Sequence, residues 1–248
     1  MEEQTIQPEG MGEIGRLTGI IWEPKPVFED LAARPRWWAP IILLTILSVI
    51  FVFTFSRVVG WDAMMRQQLD KQAQTNPRMA QLSAEQREQS MALLTAIAKY
   101  GGLGGAFVGV TISTLVMAVV MLVSLNWLGG AGLKFKEVFS VTCYSFLPTA
   151  ISTGLALVVM LLKNPEDFDL QRPLPANLGA FLSTQTSPKW LIGLASSFDL
   201  FTIWVMLLMA LGFSVVAKRL SFGKSLTLVL IPWALYVLIK VGVAGITG

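Results

Sequence analysis

Five long apolar stretches limit what this 248-residue sequence can fold into. They run near Ala39–Val59, Leu103–Asn126, Val138–Leu162, Ser196–Ala217 and Ser225–Ile246. Each reaches the roughly 20 residues that an α-helix needs to cross a hydrocarbon core. Lipid offers no partner to a backbone N–H or C=O, so each stretch must satisfy its own, as a helix does. The fold class that follows is all-α: a polytopic membrane protein, a bundle of five transmembrane helices. Only 14% of the residues are charged, where a soluble domain has about a quarter.

Lys and Arg set the expected orientation. Arg34 and Arg36 precede the first span, Lys134 and Lys136 lie in the second connection, and Lys218, Arg219 and Lys224 lie in the fourth. All share one side, which the positive-inside rule assigns to the cytoplasm. The N-terminus is then inside and the C-terminus outside. The first 38 residues are polar and acidic-rich, and the first span is too long for a signal peptide and lacks a small-residue cleavage site, so it is expected to stay as an anchor. Residues 1–38 read as a cytosolic tail and residues 39–248 as the membrane domain.

Within that tail, Pro26 suits the first turn of a short helix that puts Val27, Phe28 and Leu31 on one face. Arg34-Pro35 ends it, and Trp37-Trp38 place rings at headgroup level. An interfacial helix on the membrane surface is one reading; an ordinary anchor for span one is the plainer one. The first loop, residues 60–99, holds seven glutamines and reads as a helical hairpin outside the membrane. Its first helix covers Asp62 to Gln74, Asn76-Pro77 breaks it, and Ser83 to Gln86 has capping-box spacing. The second helix runs through Met91, Leu94 and Ile97 into span two.

Span two opens with Gly101, Gly105, Gly109 and Ser113, a stripe of small residues at four-residue spacing. Such a stripe lets a second helix approach closely, whether from this chain or from another copy. Spans two–three and four–five also resemble each other. Leu133-Lys-Phe135 and Leu220-Ser-Phe222 precede spans that hold Pro148 and Pro232, which suggests a parallel repeat.

Gly129-Gly130-Ala-Gly-Leu-Lys-Phe135-Lys-Glu-Val-Phe-Ser140, followed by Tyr144-Ser-Phe-Leu-Pro148, resembles the Yip family (the Ypt/Rab-interacting-protein domain). In that family a Gly-Gly turn, an amphipathic run and a "Tyr…Pro" helix join the second and third spans. The approach Pro24…Phe28…Leu31…Arg34-Pro35-Arg36-Trp37 is similar to that of its prokaryotic members. The resemblance implies five spans, a cytosolic N-terminus and a home in a bacterial cytoplasmic membrane. The eukaryotic branch has an Asp-Leu-x-Gly-Pro element before span one. Asp30-Leu31-Ala-Ala-Arg-Pro35 lacks its glycine and carries an extra residue, so Rab binding is not carried over.

Residues able to do chemistry are scarce. The sequence has no histidine, which excludes His-based triads and the usual zinc sites. Gly223-Lys224-Ser225 is no P-loop, because Lys218 stands where that motif needs glycine. Cys143, inside a span, is the single cysteine, so no intrachain disulfide can form. No basic run with interleaved aromatics points to nucleic acid. Glu166, Asp167 and Asp169 sit in a loop stiffened by Pro165, Pro173, Pro175 and Pro188, a solvated segment rather than a cation site. No enzyme and no cofactor are expected.

Two charges lie within spans, Asp199 and Lys240, both near the outer end. They are candidates for an intramembrane ion pair. The plainer reading has Asp199 capping its helix and Lys240 snorkelling outward. The expected function is a non-catalytic membrane organiser or adaptor. Its partners would be the bilayer, other membrane proteins or a second copy. The alternative is a small transporter or channel using Asp199, Lys240 and the repeated hairpins.

Overall fold

In a computed structural model of the chain, the structure describes residues 10–75, 83–170, 172–183 and 186–246. Among these residues the fold is helical and without strands, apart from an isolated bridge between Asn177 and Asp199. Four helical segments are long and apolar enough to cross a membrane: Trp38–Val58, Glu88–Leu128, Phe135–Leu162 and Phe222–Ile246. The fifth apolar helix, Leu200–Val216, has 17 residues. At 1.5 Å per residue that is about 25 Å, short of a hydrocarbon core of ~30 Å. Its expected first turn is missing for a local reason. The Asp199 carboxylate accepts the Phe201 and Thr202 amides, each at 3.0 Å, so the helix starts one residue later.

In chain order the helices are α1 (Glu13–Trp22), α2 (Pro24–Ala33), α3 (Trp38–Val58), α4 (Trp61–Thr75) and α5 (Ala84–Val123). After a π-helical turn at Ser124–Leu128 come α6 (Phe135–Ser145), α7 (Pro148–Leu162), α8 (Lys189–Ala195), α9 (Leu200–Val216) and α10 (Phe222–Ile246). The chain divides into two compact units. One comprises Met1–Ile42, Ser113–Thr149 and Ala176–Gly248, and the other Leu43–Ile112 and Ala150–Pro175.

In the first unit α9 is central, packing on α2, α6 and α10. The two prolines of the suspected repeat act differently. Pro148 has no N–H and its ring crowds the preceding turn, so the third span breaks at Phe146–Leu147 and restarts as α7. Pro232 lies inside an unbroken α10. Its missing N–H leaves the Leu228 carbonyl without its helical donor, and the buried Ser124 hydroxyl donates to it at 2.7 Å. Ser124→Ala should therefore orphan that carbonyl and cost about 1–3 kcal/mol. Pro232→Ala restores an N–H to the helix, so Ser124→Ala should be nearly neutral in that background. Thermal unfolding of the four variants in detergent checks the coupling.

The second unit packs around Phe55, Val59, Trp61, Met160 and Phe168. Gly60, at φ 81°, takes the left-handed conformation that turns α3 into α4. The Trp61 ring then meets Phe55 edge-on at 5.0 Å. Beside this turn an open cleft of about 670 Å³ is lined by Val59, Met64, Arg66, Gln67, Glu166 and Phe168. The expected capping box forms: Ser83 Oγ accepts the Gln86 amide at 3.2 Å and Gln86 Oε1 accepts the Ser83 amide at 3.1 Å. From there α5 runs 40 residues without a break, about 60 Å, so one helix serves as both loop arm and span. The Asn76-Pro77 break lies outside the described residues.

Candidate functional site

The distinctive site is an N-terminal helix pair held on the start of the third span. Glu23 separates α1 from α2 because a residue before proline avoids helical angles; its φ and ψ are −135° and 66°. Pro24 then opens α2 at a position where no N–H is needed. The two helices touch closely at Gly19, where an added Cβ would lie 2.9 Å from Val27. The α2 face read from the sequence is the buried one, with Val27, Phe28 and Leu31 essentially inaccessible. It does not lie on lipid, however. It packs on α9 and α6, and Phe28 fills the space that a side chain at Gly212 would occupy.

A closed set of charges fastens this pair. Arg16 is 1% exposed. Its Nε donates to Asp30 Oδ2 at 2.6 Å, and its Nη1 reaches Glu13 Oε1 at 3.2 Å. Glu13 Oε1 also accepts from Arg36 at 3.1 Å, and Glu13 Oε2 accepts the Tyr144 hydroxyl at 2.7 Å. Asp30 Oδ1 takes the Met11 amide at 3.2 Å. The two carboxylates face the guanidinium groups of Arg16 and Arg36, and each carboxylate has several donors. That is the condition under which buried charge is tolerated. Chemically the arrangement is a fastening: it ties α1 to α2, to the start of α3 and to α6.

The turn that presents α6 is built with equal economy. Asn126 closes it on both sides: Nδ2 donates to the Leu133 carbonyl and Oδ1 accepts the Leu133 amide, each at 2.9 Å. Gly130 and Gly132 have φ of 62° and 68°, conformations that other residues resist. A Cβ on Gly129 would lie 2.5 Å from the Leu125 carbonyl and 2.6 Å from the Leu228 side chain. Glu137 accepts the Lys134 amide at 2.7 Å and closes the first turn of α6. Phe135 then stacks on Phe139 at 5.5 Å, and Phe139 meets Trp37 at 5.4 Å. Gly129, Gly130, Phe135, Tyr144 and Pro148 thus each have a physical task in one hairpin.

The Yip1 domain family model matches residues 18–244. This chain belongs to the Yip1 domain family. The Yip1 domain here is similar to the membrane protein YknW of Bacillus subtilis (strain 168), 25% identical over 196 residues. That alignment covers 79% of this chain and 76% of YknW. No solved structure matches. With its apolar helices, this is a multi-pass integral membrane protein in contact with lipid.

Elsewhere in the Yip1 domain, a Cβ at Gly101, Gly105 or Gly109 would meet nothing within 4 Å. The small residue under pressure is Gly102, where a Cβ would collide with the Trp61 ring. Gly102→Ala should accordingly cost about 1–3 kcal/mol through overpacking. Gly101→Ala should be neutral or stabilising by up to ~1 kcal/mol from helix propensity. Unfolding midpoints of the two variants give the comparison directly.

Asp199 caps α9, and Lys240 Nζ donates to Ser197 Oγ at 3.1 Å, two residues before that cap. Among the described residues no group of three or more His, Cys, Asp or Glu could hold a metal ion. Sequence reasoning missed Glu13, Arg16, Arg36 and Asn126. The first two are three residues apart, a common surface spacing, and nothing local marks them as buried.

Proposed function

We propose that this Yip1 domain protein acts without catalysis, organising other membrane proteins or lipids around its spans. The observation that carries this reading is how little of the span surface the chain covers itself. In the four long spans only 17–28% of the most apolar window is buried. The exposed residues of these spans, such as Ile42, Ile46, Val108, Ile112 and Leu238, face lipid or whatever binds from within the membrane. Span hydroxyls support a dry interior, because Ser140, Thr142, Ser214 and Thr227 each donate to a carbonyl of their own helix. The open Gly101, Gly105, Gly109 and Ser113 stripe offers a partner helix close approach.

In this reading α9 is the fifth crossing, shortened and packed on α2, α6 and α10. The N-terminus lies in the cytoplasm and the C-terminus outside. The clustering of Arg34, Arg36, Lys134, Lys136, Lys218, Arg219 and Lys224 supports that orientation. A bacterial relative supports the cytoplasmic membrane as its home. At the outer end Asp199 caps α9 and Lys240 bonds Ser197, which favours the structural roles over an ion pair between them. Alanine at each and at both tests it: a direct pair requires non-additive stability losses, and additive losses rule it out.

Photo-crosslinkers at the exposed Val108 and Ile112, which flank the glycine stripe, test the function in living cells. Discrete adducts with a membrane protein, or with a second copy, are the expected result. Lipid adducts alone, together with Lys240-dependent solute uptake into proteoliposomes, would replace this reading with transport.

A further inference from the structure

Helix α1 is inside out for a helix in water. Its two charged residues, Glu13 and Arg16, point into the ionic cluster. Its outward stripe at i, i+3, i+4 and i+7 is Ile14, Leu17, Thr18 and Ile21, of which Leu17 and Ile21 are half-buried, with the exposed Trp22 beside it. Ile14 is 79% exposed and Trp22 83%. A water-exposed surface helix shows the opposite arrangement, apolar inward and charged outward. Even the one polar side chain on the stripe is satisfied within the helix, since Thr18 Oγ1 donates to the Ile14 carbonyl at 2.9 Å.

The depth of α1 explains the inversion. Trp37 and Trp38, both partly exposed, open the first span, where tryptophan marks the headgroup level. The Trp37 ring meets Phe139. Tyr144 lies five residues after Phe139 on the third span, about 7.5 Å along the helix at 1.5 Å per residue. Its hydroxyl holds Glu13. Glu13 also bonds Arg36, one residue before Trp37, so the start of α1 is set at the level of the tryptophans, at the boundary of headgroups and acyl chains. Interfacial helices settle roughly 5–10 Å into that boundary.

We infer that α1, not the buried α2, is the helix that lies in the membrane. Its Ile14–Leu17–Ile21–Trp22 face contacts acyl chains of the leaflet on the Trp37–Trp38 side. The ionic cluster makes this possible by neutralising the polar face of α1 against α2 and α6. The lipid-facing surface of the bundle then continues from the spans onto the N-terminal segment. A membrane-spanning protein gains a second kind of lipid contact, parallel to the bilayer, fixed rigidly to its Gly-Gly hairpin.

Spin labels on the full-length protein in phosphatidylethanolamine/phosphatidylglycerol liposomes test this. In a Cys143→Ala background, single cysteines replace Ile14, Trp22 and, as a water-exposed control on α2, Lys25. Ile14→Cys and Trp22→Cys alter exposed positions, so two independent labels report on one face. The expected result is several-fold higher collision with oxygen, relative to a water-soluble nickel chelate, at residues 14 and 22 than at residue 25. Nickel access at 14 and 22 equal to that at 25 would overturn the inference. So would immobile labels shielded from both reagents, since a protein surface would then be covering α1.

Discussion

Arg16→Ala is expected to loosen the N-terminal helix pair and to destabilise the folded protein by about 3–5 kcal/mol, the range for breaking a buried ion pair from one side. The size follows from what remains. Asp30 loses its bonds to Arg16, and Glu13 keeps Arg36 and Tyr144, so a partly buried carboxylate loses a fully buried charged partner. Removing both charges is expected to be milder. Arg16→Leu with Asp30→Leu removes one charge of each sign and replaces polar with apolar packing, which is often close to neutral in stability. Thermal unfolding in detergent gives the totals. Limited proteolysis before Trp38 shows whether the loss is local opening of α1 and α2. If Arg16→Ala unfolds like wild type and resists protease equally, the cluster fastens nothing.

The second large effect is expected at Phe28. Its side chain is fully buried, so Phe28→Ala should cost about 3–5 kcal/mol through lost burial and the cavity left behind. The opposing position is as sensitive to added volume. A Cβ on Gly212 would stand 2.6 Å from Val141 and 2.7 Å from the Phe28 ring, both too close for carbon. Gly212→Val should force α2 off α9 at a cost of about 1–3 kcal/mol. The two changes occupy one space, so combining Gly212→Val with Phe28→Ala should cost less than the sum. Additive losses would mean that α2 and α9 do not meet at these residues in the folded membrane protein.

Much of this arrangement was legible from spacing and local chemistry. Lipid forces long apolar runs to be helical, so the apolar helices could be read within a few residues of their ends, except that the second begins far earlier, at Ala84. Ser83 with Gln86, and Arg34-Pro35, marked helix boundaries because capping and proline sterics act locally. The Val27, Phe28 and Leu31 face was also readable as apolar. What it packs against was not, because α9 lies about 180 residues away in sequence. The same limit hid the cluster: Glu13 meets Tyr144 across 131 positions, and nothing near either residue records that contact. Spacing placed Gly101, Gly105 and Gly109 on one face, yet burial favours the neighbouring face of Gly102, Ala106, Thr114 and Ala118. A glycine pattern fixes a stripe but not the direction it faces. The shortened α9 depended on Asp199, whose capping role competes with a longer apolar helix.

Helices α1 and α2 pack into the folded membrane domain rather than forming a tail tethered to it. Hydrogen–deuterium exchange on the full-length protein in phosphatidylethanolamine/phosphatidylglycerol liposomes measures this most directly. Backbone amides of residues 16–22 and 27–33 should exchange as slowly as those of α9, with that protection lost in Arg16→Ala. Complete exchange of both segments at the earliest time point, while α9 stays protected, would contradict that packing.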